Sequence, residues 1–307
     1  MSSESNSEQV IKHSLWYKKI PTLLTICNSI CGFAAILHTL TAYEKALVGN
    51  SLNNKTFSSV AFVNNLPSIL AVSAWLILFA MIFDALDGWA ARKLNATSLH
   101  GMQMDSLADM VTFGVAPAVV VAVNAHARAF EFHDEGTIYL WVWFSLFIYI
   151  GCAALRLALY NVHAMEDKKS EGFSGLPSPG AAAAICSIFI LGNHPDNLIP
   201  PEAMTWILGV FLPIYAGVLG VLMNSTIPYP HMGKWLFSAK NRNRKLVVLS
   251  VLGIFMFFDP KLTCAVTITA YVIGGPLKLI IKKLTGKSLP EDDIYEEDED
   301  LPQPTGK

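Results

Sequence analysis

The sequence predicts an all-α integral membrane protein with about eight transmembrane helices and a polar site that faces the cytoplasm. Of its 307 residues, 53% are hydrophobic and only 15% are charged, whereas soluble domains contain about 25% charged residues. A helix needs roughly 20 apolar residues to cross a bilayer. Seven segments meet or approach that length: 20–43, 66–86, 106–127, 138–162, 177–194, 204–226 and 261–281.

An eighth apolar segment, 246–258, is only thirteen residues long and ends at the turn Asp259-Pro260-Lys261, so its length does not show whether it spans. The distribution of charge favours eight spans with both termini in the cytoplasm. Eighteen of the 22 Lys and Arg residues then fall inside, and four lie in outer loops: Lys45, Lys55, Arg128 and Lys261. This distribution obeys the positive-inside rule. A seven-span arrangement would place Lys282 and Lys283 on the opposite side.

The chain divides into three parts. Residues 1–19 are polar and include Trp16 and Tyr17, which suit a segment lying along the headgroups. Residues 20–284 form the membrane-embedded domain, and its first apolar run is expected to stay as an anchor because no small-residue cleavage site follows it. Residues 285–307 form a tail in which eight of the ten residues 291–300 are acidic, so self-repulsion predicts a disordered, solvated segment.

Four aspartates at the edges of two apolar segments are the candidates for chemistry: Asp84, Asp87, Asp105 and Asp109. Carboxylates near hydrocarbon are costly, so a converging set needs a reason. The first two are spaced i, i+3 and the last two i, i+4, which places each pair on one face of its helix. Two antiparallel helices joined by residues 88–104 would bring the pairs together as a four-carboxylate box. Such hard oxygen ligands suit magnesium, manganese or calcium.

Two glycines and an arginine extend the aspartate pattern. Gly88 follows Asp87 directly and Gly101 lies one turn before Asp105, so each would let a ligand approach the backbone. Arg92 lies one turn beyond Gly88, and its planar guanidinium suits a phosphate. Two metal ions a few ångströms apart can bridge a diphosphate and neutralise the charge that develops during phosphoryl transfer. A single aspartate here is explained as a helix-end charge, but the complete pattern is not.

Written out, the segment reads Asp84-x2-Asp87-Gly88-x2-Ala91-Arg92-x8-Gly101-x3-Asp105-x3-Asp109. It resembles the signature of the CDP-alcohol phosphotransferases at every fixed position. The resemblance implies the membrane fold of that family and its reaction, in which the hydroxyl of a small alcohol displaces CMP from a CDP-linked donor.

The resemblance also implies a role for each residue. Asp84, Asp87 and Asp105 would bind Mg²⁺ or Mn²⁺ in a two-metal site. Asp109 would border the same metal site and act as general base on the acceptor hydroxyl. The residues implied to hold the CDP group are Gly88, Ala91 and Gly101 around the cytidine nucleotide and Arg92 on the phosphates.

Further blocks resemble the serine-using branch of the family, and together the resemblance covers about residues 15–235. They begin at Ile20, Ala154, Phe173 and Leu222. The expected donor is CDP-diacylglycerol and the expected acceptor L-serine, bound by Arg156, Asn161, Gly175 and Pro177. Arg156 lies at the cytoplasmic end of the fourth predicted span, where a buried arginine needs a partner such as the serine carboxylate. The segment 173–179 is expected to form a loop over the site.

Other interpretations stay open at this point. Arg156 also suits a snorkelling residue or a contact with a lipid phosphate. Thr22 and Leu159 depart from the serine branch, which usually has Asn and a basic residue there. The same chemistry with glycerol phosphate, inositol phosphate or choline as acceptor, or with an archaeal-type ether-lipid donor, fits the aspartate pattern. A divalent-cation transporter is the alternative outside the enzymes, and a catalytically silent scaffold is disfavoured because every motif aspartate is present.

The remaining expectations concern location and partners. We expect an integral protein of the bacterial cytoplasmic membrane, in contact with membrane lipids and with its active site facing the cytoplasm. The family resemblance implies a homodimer formed through membrane helices. No nucleic-acid partner is expected.

Overall fold

A computed structural model describes residues 19–51, 59–94, 96–129, 135–165, 175–193, 200–227, 229 and 242–285. Within these ranges the chain forms ten α-helices and two π-helices, and no strand. The α-helices are α1 Ile20–Ser51, α2 Ser59–Lys93, α3 Leu99–Asp109, α4 Ala116–Ala129, α5 Glu135–Met165, α6 Ser178–Gly192, α7 Pro201–Trp206, α8 Leu212–Met223, α9 Arg242–Phe258 and α10 Pro260–Thr285. The first π-helix, Met110–Val115, joins α3 to α4, and the second, Ile207–Phe211, joins α7 to α8.

Six stretches of the described chain are long and apolar enough to cross a membrane: Ile20–Glu44, Ile69–Lys93, Leu99–Arg128, Leu140–His163, Ala203–Met223 and Pro260–Ile281. Two shorter apolar helices, Ser178–Gly192 and Lys245–Phe258, bring the total in the described ranges to eight. The predicted all-α membrane fold with about eight apolar helices is therefore confirmed. The two shorter helices are below the length needed for a straight crossing.

The helices pack closely because small residues occupy their interfaces. α1 lies along α2, α2 packs on α6, and α5 packs on α8. Much of the core is alanine, including Ala35, Ala74 and Ala181, each without solvent exposure. At Gly220 a Cβ would lie 2.8 Å from the backbone of Tyr149, so α8 and α5 approach at a point that admits only glycine. Such approaches are the usual means of helix association in lipid.

The connection between the two aspartate-bearing helices is shorter than predicted. Helix α2 continues to Lys93 and α3 begins at Leu99, so the linking segment is 94–98 rather than 88–104. Ser98 caps α3 by accepting the backbone N–H of Gly101 at 3.0 Å. On the other side of this connection, Arg92 and Lys93 lie in the last turn of α2, where their positive charges interact favourably with the helix dipole.

The last two helices meet at Asp259. Its side chain accepts the N–H of Leu262 at 3.0 Å, and Pro260 occupies the first position of α10. This is a standard helix start, and it explains why α9 ends there.

Several expectations concern residues that the structure does not describe. Trp16, Tyr17 and the acidic residues 291–300 lie outside the described residues, as do 173 and 174 of the expected loop. The division into 1–19, 20–284 and 285–307 stays a prediction.

Candidate active site

Three of the four aspartates converge between α2 and α3. Asp84, Asp105 and Asp109 each offer a carboxylate oxygen, and these oxygens lie within 4.8 Å of one another. Asp109 is nearly buried, with 9% of its surface exposed. Three carboxylates of like charge at such a distance repel one another in a low dielectric. The arrangement therefore requires a cation or protons to neutralise it.

Asp87 is buried beside this cluster and is held by α1. Thr25 Oγ1 donates to Asp87 Oδ2 at 2.8 Å and is also 3.0 Å from the carbonyl of Pro21. Asp87 has 4% of its surface exposed. The hydrogen bond from Thr25 orients one carboxylate oxygen.

Asn28, one turn further along α1, contacts the cluster directly. Its Nδ2 donates to Asp109 Oδ1 at 3.0 Å, and the side chain has no solvent exposure. The sequence analysis gave no role to Thr25 or Asn28. Their i, i+3 spacing inside an apolar segment is the signal that identifies them, because it places two polar side chains on one helix face.

The donor set fits a hard divalent cation. Asp105 Oδ1 is buried and has no hydrogen-bond partner among the described residues, and the same is true of Asn28 Oδ1. Buried carboxylate oxygens without a donor are rare in proteins unless an ion or water binds them. Oxygen ligands alone, without nitrogen or sulfur, are typical of magnesium, manganese or calcium sites.

A cavity of about 470 Å³ lies against this cluster. It includes Asp87 and Asp105 and is closed by the start of α1, the end of α2 and the start of α3. Its lining residues are Pro21, Thr22, Thr25, Asp87, Gly88, Ala91, Arg92, Ala96, Thr97, Ser98, Leu99, Gly101, Met102, Met104, Asp105 and Tyr160. Every residue predicted to hold the nucleotide and phosphates is among them. The volume is in the range typical of small-molecule sites.

A model of the CDP-alcohol phosphatidyltransferase family matches residues 18–222, which contain the carboxylates and all of the cavity. The chain belongs to this family. Membership makes it an enzyme, and it leaves no reason to prefer the transporter interpretation.

Relatives of this CDP-alcohol phosphatidyltransferase have been named in bacteria and archaea. The CDP-diacylglycerol–serine O-phosphatidyltransferase of Helicobacter pylori is 30% identical over 233 residues, covering 75% of this chain and 89% of the relative. The Bacillus subtilis protein of the same name is 32% identical over 216 residues, covering 70% and 92%. An archaetidylserine synthase of Methanothermobacter thermautotrophicus is 32% identical over 184 residues, covering 59% and 68%.

The cavity lining includes Gly88, Arg92 and Gly101. A Cβ at Gly88 would lie 3.5 Å from Arg92 Nη1, so the guanidinium extends over Gly88. At Gly101 a Cβ would lie 3.1 Å from Ser98 Oγ. Arg92 therefore extends over Gly88 and lines the cavity.

Arg156 of α5 is buried. Its Nη1 donates to the carbonyl of Met223 at 2.8 Å, at the C-terminus of α8. A positive charge at this end of a helix interacts favourably with the helix dipole. Tyr160 lies one turn further along α5, interacts with the charge of Arg156 and lines the cavity. Asn161 accepts a hydrogen bond from Ser106 Oγ at 3.0 Å, which connects α5 to the residue beside Asp105.

Gly175 and Pro177 precede α6, and Gly175 packs against the end of α8. Gly175 has φ +103°, and a Cβ there would lie 2.4 Å from the carbonyl oxygen of Met223. Its N–H donates to the carbonyl of Ile227 at 2.8 Å. This is a tight turn that only glycine adopts without strain.

The described part of the segment 173–179 thus lies against 222–227. None of Arg156, Asn161, Gly175 and Pro177 lines the cavity as far as the described residues show. Arg156 and Gly175 meet at the carbonyl of Met223, and Asn161 lies at Ser106.

Tyr229 packs against α10. Its hydroxyl donates to the carbonyl of Val272 at 3.0 Å, and its ring lies where a Cβ at Gly275 would be, 2.5 Å from the ring. Burial, with a smaller contribution from Tyr215, raises the pKa of Tyr229 above its usual value.

Proposed function

We propose that this enzyme transfers the phosphatidyl group from CDP-diacylglycerol to the hydroxyl of L-serine, giving phosphatidylserine and CMP. The observation that carries the proposal is the convergence of Asp84, Asp105 and Asp109 beside a cavity lined by the residues predicted to hold the nucleotide. The choice of serine rests on relatives, since those from Helicobacter pylori and Bacillus subtilis are named for serine as acceptor.

The four aspartates would hold two divalent cations, Mg²⁺ or Mn²⁺. When bound, these ions would neutralise the diphosphate and the charge that develops on the transferred group. Thr25 and Asn28 orient Asp87 and Asp109 from α1. Gly88, Ala91 and Gly101 would contact the cytidine nucleotide, and Arg92 would donate to its phosphates.

Asp109 is the proposed general base. It takes the proton from the serine hydroxyl while the serine oxygen attacks the phosphorus attached to the lipid alcohol. The bond from that phosphorus to the bridging oxygen of CMP breaks, and CMP leaves with the electron pair. Asn28 orients this carboxylate by donating to Asp109 Oδ1.

Arg156, Asn161, Gly175 and Pro177 are the proposed acceptor residues. Arg156 and Tyr160 are spaced i, i+4 on α5, and Tyr160 lines the cavity, so a serine bound beside Tyr160 could present its carboxylate to Arg156. The positions of Asn161 next to Ser106, of Gly175 against the end of α8 and of Pro177 at the start of α6 support a role in shaping this part of the site.

The proposed location is the bacterial cytoplasmic membrane, with the cavity facing the cytoplasm. Support comes from the distribution of Lys and Arg along the chain and from the apolar helices. The proposed assembly is a homodimer formed through membrane helices, as the family resemblance implies. The division of the chain into an N-terminal segment, a catalytic domain at 20–284 and an acidic tail belongs to the same proposal.

The test is CMP release by the purified protein in detergent with CDP-diacylglycerol and Mn²⁺, with and without L-serine. Serine-dependent release with formation of phosphatidylserine is the expected result. Asp84→Asn should abolish it because the cluster loses a charged ligand. Asp259→Asn is the matched control, since Asn also caps a helix and Asp259 lies outside the cluster.

Release that depends on glycerol phosphate, inositol phosphate or choline would retain the aspartate mechanism and reject serine. A second donor arm uses an archaeal-type CDP-activated ether lipid, because the relative named archaetidylserine synthase makes that donor a specific alternative. Preference for the ether lipid would change the assigned product but not the acceptor.

A further inference from the structure

The two π-helices share a sequence cause. The first ends at Val115 and is followed by Pro117; the second ends at Phe211 and is followed by Pro213. In each, the backbone N–H just after the π-helix donates to the carbonyl five residues earlier, from Ala116 to Val111 and from Leu212 to Ile207. Proline lacks an N–H and its ring clashes with the carbonyl four residues before it, so a regular α-helix is disfavoured at both places.

Because proline has no backbone N–H, one carbonyl in the preceding turn lacks its helical donor. In both places another helix supplies a side-chain donor to such a carbonyl. In an α-helix the N–H of residue 117 would bond the carbonyl of Phe113. That carbonyl instead accepts the hydroxyl of Tyr149 on α5 at 2.7 Å. In the second π-helix, the carbonyl is that of Leu208, which residue 213 would bond in the π-helical register of five residues. This carbonyl accepts Asn124 Nδ2 at 2.7 Å. Both donor side chains are fully buried. The two carbonyls need such donors because a backbone group within a bilayer has no water to bond.

The first π-helix begins directly after Asp109, and the residues on either side of it are fixed. Within it, Thr112 Oγ1 donates to the carbonyl of Asn28 at 3.2 Å, and a Cβ at Gly32 would lie 2.4 Å from Thr112 Oγ1. Beyond it, α4 is anchored by Asn124. Removing the extra residue of a π turn would rotate α3 relative to α4 by about 100°, which would carry the aspartates of α3 off their present face.

We propose that Tyr149 is a positioning residue of the metal site: its hydroxyl stabilises the first π-helix, which orients Asp105 and Asp109 toward Asp84. Tyr149 itself is on α5 and contacts none of the reacting groups. The proposal rests on the proposed function in one respect, that the aspartates bind Mn²⁺ or Mg²⁺.

The test combines Tyr149→Phe and Pro117→Ala, singly and together, with Tyr215→Phe as the matched control for loss of a half-buried hydroxyl in α8. Mn²⁺ binding is measured by electron paramagnetic resonance, CMP release is measured as a function of Mn²⁺, and thermal unfolding is followed in parallel. Tyr149→Phe should raise the Mn²⁺ concentration for half-saturation about fivefold to tenfold, the effect of one lost hydrogen bond. Pro117→Ala alone should remain close to the unaltered protein, because the Tyr149 bond persists.

The double variant separates positioning from general stability. Alanine restores an N–H at 117 that bonds the carbonyl of Phe113 in a regular α-helix, so the melting temperature should rise above that of Tyr149→Phe. Mn²⁺ affinity should nevertheless fall further, because the regular helix turns the aspartates away. If Tyr149→Phe does not fold, the Mn²⁺ affinity of the double variant is compared with that of Pro117→Ala, and it should still be lower.

Recovery of Mn²⁺ affinity together with stability in the double variant would overturn the proposal, as would unchanged Mn²⁺ affinity in Tyr149→Phe. Absence of Mn²⁺ binding by the unaltered protein would also overturn it. Mn²⁺ binding that follows the expected order, without serine-dependent CMP release, would support the role of Tyr149 and contradict only the proposed function.

Discussion

Replacement of Asn28 by alanine tests whether α1 is part of the catalytic machinery. The Asn28 side chain is fully buried and donates one hydrogen bond of 3.0 Å to Asp109 Oδ1. A hydrogen bond to a charged group contributes about 1.5–3 kcal/mol, and complete burial means that solvent does not reduce this value. Since about 1.4 kcal/mol corresponds to a factor of ten, Asn28→Ala should lower kcat/KM for CMP release about tenfold to a hundredfold.

The assay is CMP release at fixed CDP-diacylglycerol and serine over a range of Mn²⁺ concentrations. The effect should be strongest on kcat and on the Mn²⁺ requirement, because the lost bond orients Asp109. Thr39→Ala is the matched control: Thr39 is equally buried on the same helix and donates at 2.8 Å, but to Ser73 Oγ, about three turns away from Asn28 along α1. It should lower thermal stability without changing the Mn²⁺ requirement.

Equal effects of the two substitutions on the Mn²⁺ requirement would refute this reasoning, because the loss would then reflect general destabilisation. An unchanged kcat/KM in Asn28→Ala would refute it as well, since Asp109 would not depend on α1.

Three further predictions follow from the same contacts. Asp109→Asn should abolish turnover, because an amide does not accept the serine proton, while donor binding measured by calorimetry stays nearly unchanged; measurable turnover at the normal rate would remove Asp109 from the mechanism. Arg156→Ala should raise the KM for serine at least about tenfold, the loss of a charge-assisted bond, with little change for the donor; equal changes would instead indicate a phosphate contact or the helix-end bond to Met223. Gly32→Ala should lower the melting temperature and raise the Mn²⁺ requirement together, because a Cβ would lie 2.4 Å from Thr112 Oγ1; normal values of both would show that the helices separate without cost.

The fold was predictable because hydropathy alone identifies apolar helices. All eight apolar segments correspond to helices, and the spacing of Asp84 to Asp109 predicted which helices bring the carboxylates together. The length of the connection at 94–98 was not predictable in this way. Helix α2 extends well past its apolar portion through Arg92 and Lys93, and periodicity does not show where a polar helix end stops.

The contribution of α1 to the site was missed for a different reason. Thr25 and Asn28 are single polar residues in an apolar run, and only the packing of α1 on α2 and α3 shows that they contact Asp87 and Asp109. The π-helices were missed because their cause is distributed: Pro117 is local, but the donor that stabilises the carbonyl of Phe113 lies on α5, 36 residues away.

The five-residue connection between α2 and α3 has a consequence for the order in which the chain folds. All four aspartates lie on one helical hairpin, so their contacts are local in sequence and can form before the later helices enter the membrane. Closing that hairpin brings like charges together, which is unfavourable until a cation is present. Divalent metal should therefore favour assembly as well as catalysis, and chains synthesised where it is scarce should keep the hairpin open and accessible to membrane proteases.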